Sequence, residues 1–175
     1  MRLAARNDLN ADFVMERISY DLETGIAAWK SRGGRNDMFN ARCAGKKVSS
    51  KHPNGYVRIG LAEGRYLLHR IIWLYVTGEW PRFHIDHVNS KKYDNRWANL
   101  REATVSQNGQ NVKRLSTNTS GLKGVSWHKA SSMWRADICV NRRQKSLGIF
   151  NCPAAASFAY QIAADKHFKE FARLA

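Results

Sequence analysis

Cysteine is scarce in this 175-residue chain, which carries only Cys43, Cys139 and Cys152. Three thiols so far apart cannot frame a disulfide-stapled domain, and they lack the close pairing of a zinc knuckle. They read as reduced thiols, which points to a cytoplasmic protein. Long apolar runs are missing too. Nothing approaches the roughly eighteen apolar residues that would span a bilayer, and Met1 to Asp8 lack the apolar centre of a signal peptide, so no membrane partner is expected. Acidic residues are the third shortage. Against 29 Lys and Arg stand 14 Asp and Glu, a formal net charge of +15.

An excess of that size on a small chain favours a polyanionic partner over a merely solvated basic surface. The charge is spread unevenly: +5 over residues 1–80, +2 over 81–108 and +8 over 109–175. The last part is the most basic for its length. Apolar residues make up 43%, enough for a core, and the length suits one domain or two small ones.

The richest stretch runs from Asp86 to Asn108. Asp86 and His87 are adjacent, Asn99 follows His87 by twelve residues, and Asn108 follows Asn99 by nine. A strand ending at Asp86-His87, an irregular loop, a return strand near Leu100 and a helix opening near Thr104 would bring the four together. The residue types suit phosphodiester cleavage. A hard cation such as Mg²⁺ (or Mn²⁺) takes oxygen ligands, and a carboxylate plus an amide carbonyl leave room for waters and a phosphate. An imidazole titrates near neutral pH and can take a proton from water. Asn-rich loops also cap helices and fill turns with no catalytic role.

The stretch resembles the HNH homing endonucleases of phages, in the branch whose last position is Asn. The resemblance rests on Asp86-His87, Asp94-Asn95-Arg96, Asn99-Leu100-Arg101 and Asn108. Upstream, Gly55-Tyr56-Val57-Arg58-Ile59 and Leu68-His69-Arg70-Ile71-Ile72-Trp73 resemble the segment that precedes the motif. It implies a ββα-metal core in which His87 is the general base and Asn99 the catalytic-site brace that orients it. Asp86 and Asn108 would be the metal ligands for one divalent ion per active site. It also implies a double-stranded DNA substrate, a monomer that nicks, no small-molecule cofactor, and a phage or bacterial host cell as location.

Around that motif the chain reads as follows. Residues 10–20 have helical spacing of Phe13, Val14 and Ile18, then a turn and a strand over Ile26–Lys30. Residues 31–51 read as a basic, turn-rich loop, placed near DNA or simply on the surface. A hairpin follows from Asn54-Gly55 to Leu68, then a helix over His69–Thr77. His69 is a candidate for the rim of the site or a buried, hydrogen-bonded histidine at a strand–helix junction. The helix after Thr104 is expected to reach about Arg114.

Beyond a polar stretch, residues 122–175 predict three strands (Leu122–His128, Met133–Val140, Gln144–Phe150) and a helix of some twenty residues from Cys152-Pro153. The helix stripe Ala155, Phe158, Ala159, Ile162 and Ala163 is expected against the Trp134/Ile138 face. This order, with Lys123-Gly124-Val125, Trp134-Arg135-Ala136-Asp137-Ile138, Leu147-Gly148-Ile149-Phe150 and Ala155-Ala156, resembles the ethylene-response-factor type of DNA-binding domain. It implies a sheet laid in the major groove and DNA contacts from Lys123, Ser126, His128, Arg135, Asp137, Arg142 and Gln144. Ser126, Cys139 and Gln144 replace arginines of the plant pattern, so base preference does not carry over.

The expected fold class is therefore α+β, a ββα-metal nuclease core followed by a small three-stranded antiparallel sheet plus one helix. The expected parts are an N-terminal helix, strand and basic loop (1–53), the nuclease domain (54–114), a linker (115–121) and the DNA-binding domain (122–175). The competing readings are a non-catalytic DNA-binding regulator with a degenerate nuclease site, which has no need for the Asp86/His87/Asn99/Asn108 set, and an RNA-directed nuclease.

Overall fold

Asn10 opens the first element: its side chain accepts the Phe13 N–H and caps helix α1, Ala11–Arg17. The structure is a computed structural model and describes residues 9–33, 38–62, 64–111 and 118–172. The chain forms two compact units, Met1–Ala103 and Thr104–Ala175. The boundary expected from the sequence is the polar stretch 115–121, of which 115–117 lie outside the described residues.

In the first unit the expected helix over 10–20 stops at Arg17. Ile18 turns extended and Ile18–Tyr20 becomes strand β1, paired antiparallel with β2, Ala27–Trp29. The reason is local. Asp21 accepts the Glu23 and Thr24 N–H groups, Gly25 takes φ +70, and the chain doubles back on itself. The expected loop over 31–51 also holds structure: helix α2, Met38–Cys43, and the short strand β3, Ser50–Lys51. Its residues 34–37 lie outside those described. Strands β4 (Val57–Leu61) and β5 (Gly64–Leu67) complete a sheet in the order β3-β4-β5.

Helix α3, Leu68–Thr77, follows directly and ends on Gly78 in the left-handed conformation. It buries Leu68, Ile71, Ile72 and Leu74 against Val14, Ile18, Ile59 and Leu61. That core is continued by Ile85 and Leu100, which belong to a two-stranded ribbon of β6 (His84–His87) and β7 (Leu100–Ala103). A ribbon this short is marginal by itself. Anchoring Ile85 and Leu100 in the larger core is what fixes its register.

The second unit begins with a short helix, α4, Val105–Gln110. Thr104 caps it through a reciprocal box with Gln107. The helix ends at Gln110, not near Arg114, and residues 112–117 lie outside those described. A three-stranded antiparallel sheet follows, with β8 (Val125–His128), β9 (Met133–Val140) and β10 (Arg143–Phe150) in the order β10-β9-β8. The first strand starts at Val125 because Leu122–Gly124 is a turn, with Gly124 at φ +73 and the Val125 N–H on Leu122.

Helix α5, Pro153–Phe168, covers one face of this sheet. Its buried stripe is Ala156, Tyr160, Ala164 and Phe168, whereas Phe158 and Ile162 are exposed. The helix is therefore turned by about one residue from the expected Ala155/Phe158/Ala159/Ile162/Ala163 stripe, of which Ala159 still packs against Val125, Ala136 and Ala156. Tyr160 decides the matter: its ring lies where a Cβ on Gly124 would stand, so the helix seats its tyrosine into the notch that the glycine leaves. Tyr160 beside the small side chains of Ala156 and Ala164 gives close approach, a better fit than the greasier face.

Candidate active site

The antiparallel register of the ribbon sets Asp86 opposite Arg101 and His87 opposite Leu100. The Arg101 guanidinium therefore meets the Asp86 carboxylate, with Nε at 3.0 Å and Nη2 at 2.9 Å from Oδ2. Asp86 is 6% exposed and His87 is 3% exposed. A charge so buried is tolerated only with a partner, and Arg101 supplies it.

Between the strands the chain makes the irregular loop 88–99, and its polar side chains hold it by satisfying one another. Asn99 is central: its Oδ1 accepts the Asn89 N–H at 2.9 Å and its Nδ2 donates to the Asp94 carbonyl at 2.7 Å. The Asp94 carboxylate accepts from Asn89 Nδ2 at 2.6 Å and from both Nε and Nη2 of Arg96. That charged partner holds the Asp94 carboxyl down at about 2. Asn95, 3% exposed, sets Oδ1 3.2 Å from His87 Nε2, while its Nδ2 faces the Tyr93 carbonyl. With Asn95 oriented that way His87 carries its proton on Nε2, and the lone pair lies on Nδ1.

Burial pulls the His87 imidazole below its ordinary range. The bond to Asn95 and the Asp86 and Asp94 charges pull the other way, and Lys92 adds to the lowering. The favoured form is therefore neutral imidazole, the form able to accept a proton.

Two further elements hold this arrangement from outside the loop. The β1–β2 hairpin grips it: Tyr20 Oη donates to the Asn95 carbonyl at 2.7 Å, and the Trp97 N–H donates to the Leu22 carbonyl at 3.0 Å. Burial raises the Tyr20 hydroxyl to about 12, so it stays a donor. Any side chain at Gly25 would run into the main chain of Asn95 and Arg96. On the other side Tyr56 and His69 pack on the base. The His69 ring stands edge-on to His87 with centroids 5.1 Å apart, and Tyr56 lies 5.1 Å from His69 and 5.9 Å from His87. His69 is thus at the rim of the site and buried at a strand–helix junction at once, but among the described residues its Nδ1 has no hydrogen-bond partner. Burial, with His87 and Arg70 nearby, depresses it to about 3.

Asn108, half-buried on α4, belongs to the second unit. The first unit brings together Asp86, His87 and Asn99. In the second unit the register sets Ser126 beside Arg135 and Arg135 beside Ile149, then Asp137 beside Ser146 and Cys139 beside Gln144. By strand alternation Ser126, His128, Arg135, Asp137 and Gln144 share the face away from α5. Arg135 and Asp137 are paired at 2.6 Å, and His128 Nδ1 lies 2.8 Å from Ser131 Oγ. Arg142 sits in the β9–β10 turn at φ +62. Lys123 is engaged differently: its Nζ donates to the Gln110 carbonyl at 2.9 Å, at the end of α4.

Residues 66–110 match the HNH endonuclease family model. The chain is similar to Protein 3.8 of Escherichia phage T7, 31% identical over 106 residues that cover 60% of this chain and 87% of that protein. It is also similar to an uncharacterized HNH endonuclease of Acanthamoeba polyphaga mimivirus, 31% identical over 111 residues, 62% of this chain. Of that viral protein's own length the match spans 57%. Residues 66–110 are an HNH endonuclease domain. No solved structure matches it, and among the described residues no helix is long and apolar enough to cross a membrane.

Within this HNH domain, the sequence names Asp86, His87 and Asn99 as candidates and gives no role to Arg101, Asn95, Asp94, Tyr56 or Tyr20. The signal for Arg101 was available, since antiparallel pairing of a strand ending at His87 with one starting at Leu100 sets it opposite Asp86. Tyr20 carried none, being 75 residues from its partner. HNH nucleases as a class use a divalent ion, and the donor chemistry tests whether this site suits one. Among the described residues no group of three His, Cys, Asp or Glu side chains is placed to hold a metal ion. An ion here would draw on the single Asp86 carboxylate, shared with Arg101, and on neutral oxygens, water and phosphate. That is the habit of Mg²⁺, which keeps several waters and takes one or two carboxylates.

Proposed function

We propose that this protein is a metal-dependent DNA endonuclease, homing-endonuclease-like, that hydrolyses one phosphodiester bond and nicks double-stranded DNA as a monomer. The observation that supports it most is the seating of His87: buried, held toward the neutral form by that burial, and with Nε2 3.2 Å from Asn95 Oδ1. In this reading His87 accepts a proton from the attacking water. Asn95 holds the ring by its far nitrogen, and Asn99 fixes the loop that carries Asn95. Asp86 and, from α4, Asn108 hold one Mg²⁺ or Mn²⁺ ion, completing a ββα-metal site. Bound there, the ion would stabilise charge on the phosphate and the departing oxygen.

The second unit is read as an ethylene-response-factor-like module that lays its open sheet face on the duplex. The contacts would come from Ser126, His128, Arg135, Asp137, Gln144 and Arg142, with Lys123 near the sheet edge. The +8 charge of residues 109–175 supports this division. One observation favours the rival reading, a DNA-binding regulator with a degenerate site: Arg101 already occupies Asp86. Incubation with supercoiled plasmid separates the two. Open-circular product with Mg²⁺ or Mn²⁺ and none with chelator is the expected result. Tight binding without nicking under any divalent ion would give the regulator the field.

A further inference from the structure

We propose that Lys92 is a catalytic residue of this site, its ammonium binding a non-bridging oxygen of the scissile phosphate beside His87. The proposal rests on the nuclease reading of His87, and it is carried by how the structure holds this lysine. Lys92 is an exposed residue in the middle of the loop, where a long side chain ordinarily keeps its rotamer freedom. Here Nζ donates to the Asn54 carbonyl at 3.1 Å and lies 4.9 Å from the centroid of the Tyr56 ring. The same Tyr56 ring packs on His87 at 5.9 Å. One aromatic ring therefore carries the cation and backs the base.

An ammonium has three donors. Asn54 engages one, and a cation held by a carbonyl and a π-face keeps its charge for an anion. Phosphate oxygen is the anion that the chemistry of His87 brings to this place, and a compact lysine charge is a common partner for it. The neighbouring Lys91 makes the contrast. It is also exposed, and the loop ties it through its main-chain N–H on Asn89 Oδ1 at 2.8 Å. The structural alternative is that Lys92 only staples the loop to the turn at residues 52–55.

The test uses the full-length protein with Lys92→Met, Lys92→Arg and Lys91→Ala. Methionine keeps a stem on Tyr56, so folding is preserved, and thermal melting checks it. Binding to a short duplex is measured in chelator over a salt series, and nicking of plasmid is measured at saturating enzyme with Mg²⁺. Lys92→Met is expected to lower the slope of log K against log salt by about one, the mark of one lost phosphate contact. Its nicking rate is expected to fall by about 10²–10³-fold, the range for one lost stabiliser of developing charge. Lys92→Arg should restore the slope, and Lys91→Ala should change the rate by less than about 3-fold. An unchanged slope in Lys92→Met overturns the phosphate contact, and a lowered slope with an unchanged rate overturns its place at the scissile bond. Should the wild-type protein bind but never nick, the nuclease reading fails while the slope still decides whether Lys92 meets phosphate.

Discussion

The loop 88–99 and the open face of the β8-β9-β10 sheet are both built from polar side chains, and they use them in opposite ways. In the loop, Asn89, Asp94, Asn95 and Asn99 bond one another or neighbouring main chain, with Asn95 and Asn99 buried. On the sheet, Ser126, Cys139, Gln144 and Ser146 are exposed, and Arg135 is half-exposed. Spent hydrogen bonds fix atoms in place, which a proton-transferring group requires. Exposed ones remain available to a partner, which a reading surface requires. Each region stands on a buried apolar core. Among the described residues a cluster running from Val14 to Leu100 lies behind the loop. Val125, Ala136, Ile138, Ala156, Tyr160, Ala164 and Phe168 are buried in the unit that carries the sheet.

If the loop is where chemistry is done, the largest effect comes from its base. His87→Ala is expected to slow plasmid nicking by about 10²–10⁴-fold, the range for a positioned acid–base group, and to leave duplex affinity near wild type. Changes on the sheet face should do the reverse. A His87→Ala enzyme that nicks normally would take His87 out of the mechanism and dissolve the contrast between the two regions.

Next in size is the brace. Asn99→Ala strands the Asn89 N–H and the Asp94 carbonyl. Each buried group left unmade costs about 1–3 kcal/mol, so chemical denaturation should show a clear loss of stability along with lost nicking. Asn99→Asp keeps the acceptor for Asn89 and should recover part of the stability. Were Asn99→Ala as stable as the wild type, the loop would be held by something other than its carboxamides.

The buried histidine behind the base gives a pH-dependent version of the same test. His69 titrates near 3 in the folded chain against an ordinary value of 6.5. Unfolded chains therefore take up a proton that folded chains refuse, and stability is greatest above 6.5. It should fall by on the order of 1 kcal/mol per pH unit as pH drops from 6.5 toward 3. In His69→Phe that slope should flatten in urea melts run from pH 7 to pH 4. A slope unaltered by the substitution would assign acid sensitivity to other groups.

Much of this was legible in sequence, for physical reasons that also mark the limit. The spacing of Asp86, His87 and Asn99 and the start of α4 at Thr104 are local, because a capping box and a strand end are written in neighbouring residues. Helix α3 and strands β4, β9 and β10 fall where periodicity put them, to within a residue or so. What failed was tertiary. Ile18–Tyr20 has helical spacing but finds a strand partner across a turn that Gly25 permits. The face of α5 was chosen on hydrophobicity, whereas the fold chose the face that Tyr160 and Gly124 fit together. Tyr20 and Asn95 meet across 75 residues, and no local pattern signals that.

The smallest expected effect lies on the sheet. Arg135 stands beside Ser126 and Ile149 in register and is held by Asp137 at 2.6 Å, so its guanidinium is oriented on the face away from α5. A half-exposed pair of this kind adds little to stability, and Arg135→Ala should melt within about 1 kcal/mol of the wild type. Orientation matters for reading, because a guanidinium aimed at a base edge discriminates by about 1–3 kcal/mol, roughly 10–100-fold. Arg135→Ala is therefore expected to weaken binding to a preferred duplex more than to a scrambled one, with the nicking rate at saturating enzyme unchanged. Asp137→Ala frees the same guanidinium and should blur the preference without abolishing affinity. The measurement is binding to a preferred and a scrambled duplex across a salt series, beside single-turnover nicking. Equal losses on both duplexes would make Arg135 a phosphate contact. A loss in single-turnover rate would break the comparison outright, because the sheet would then share in the chemistry assigned to the loop.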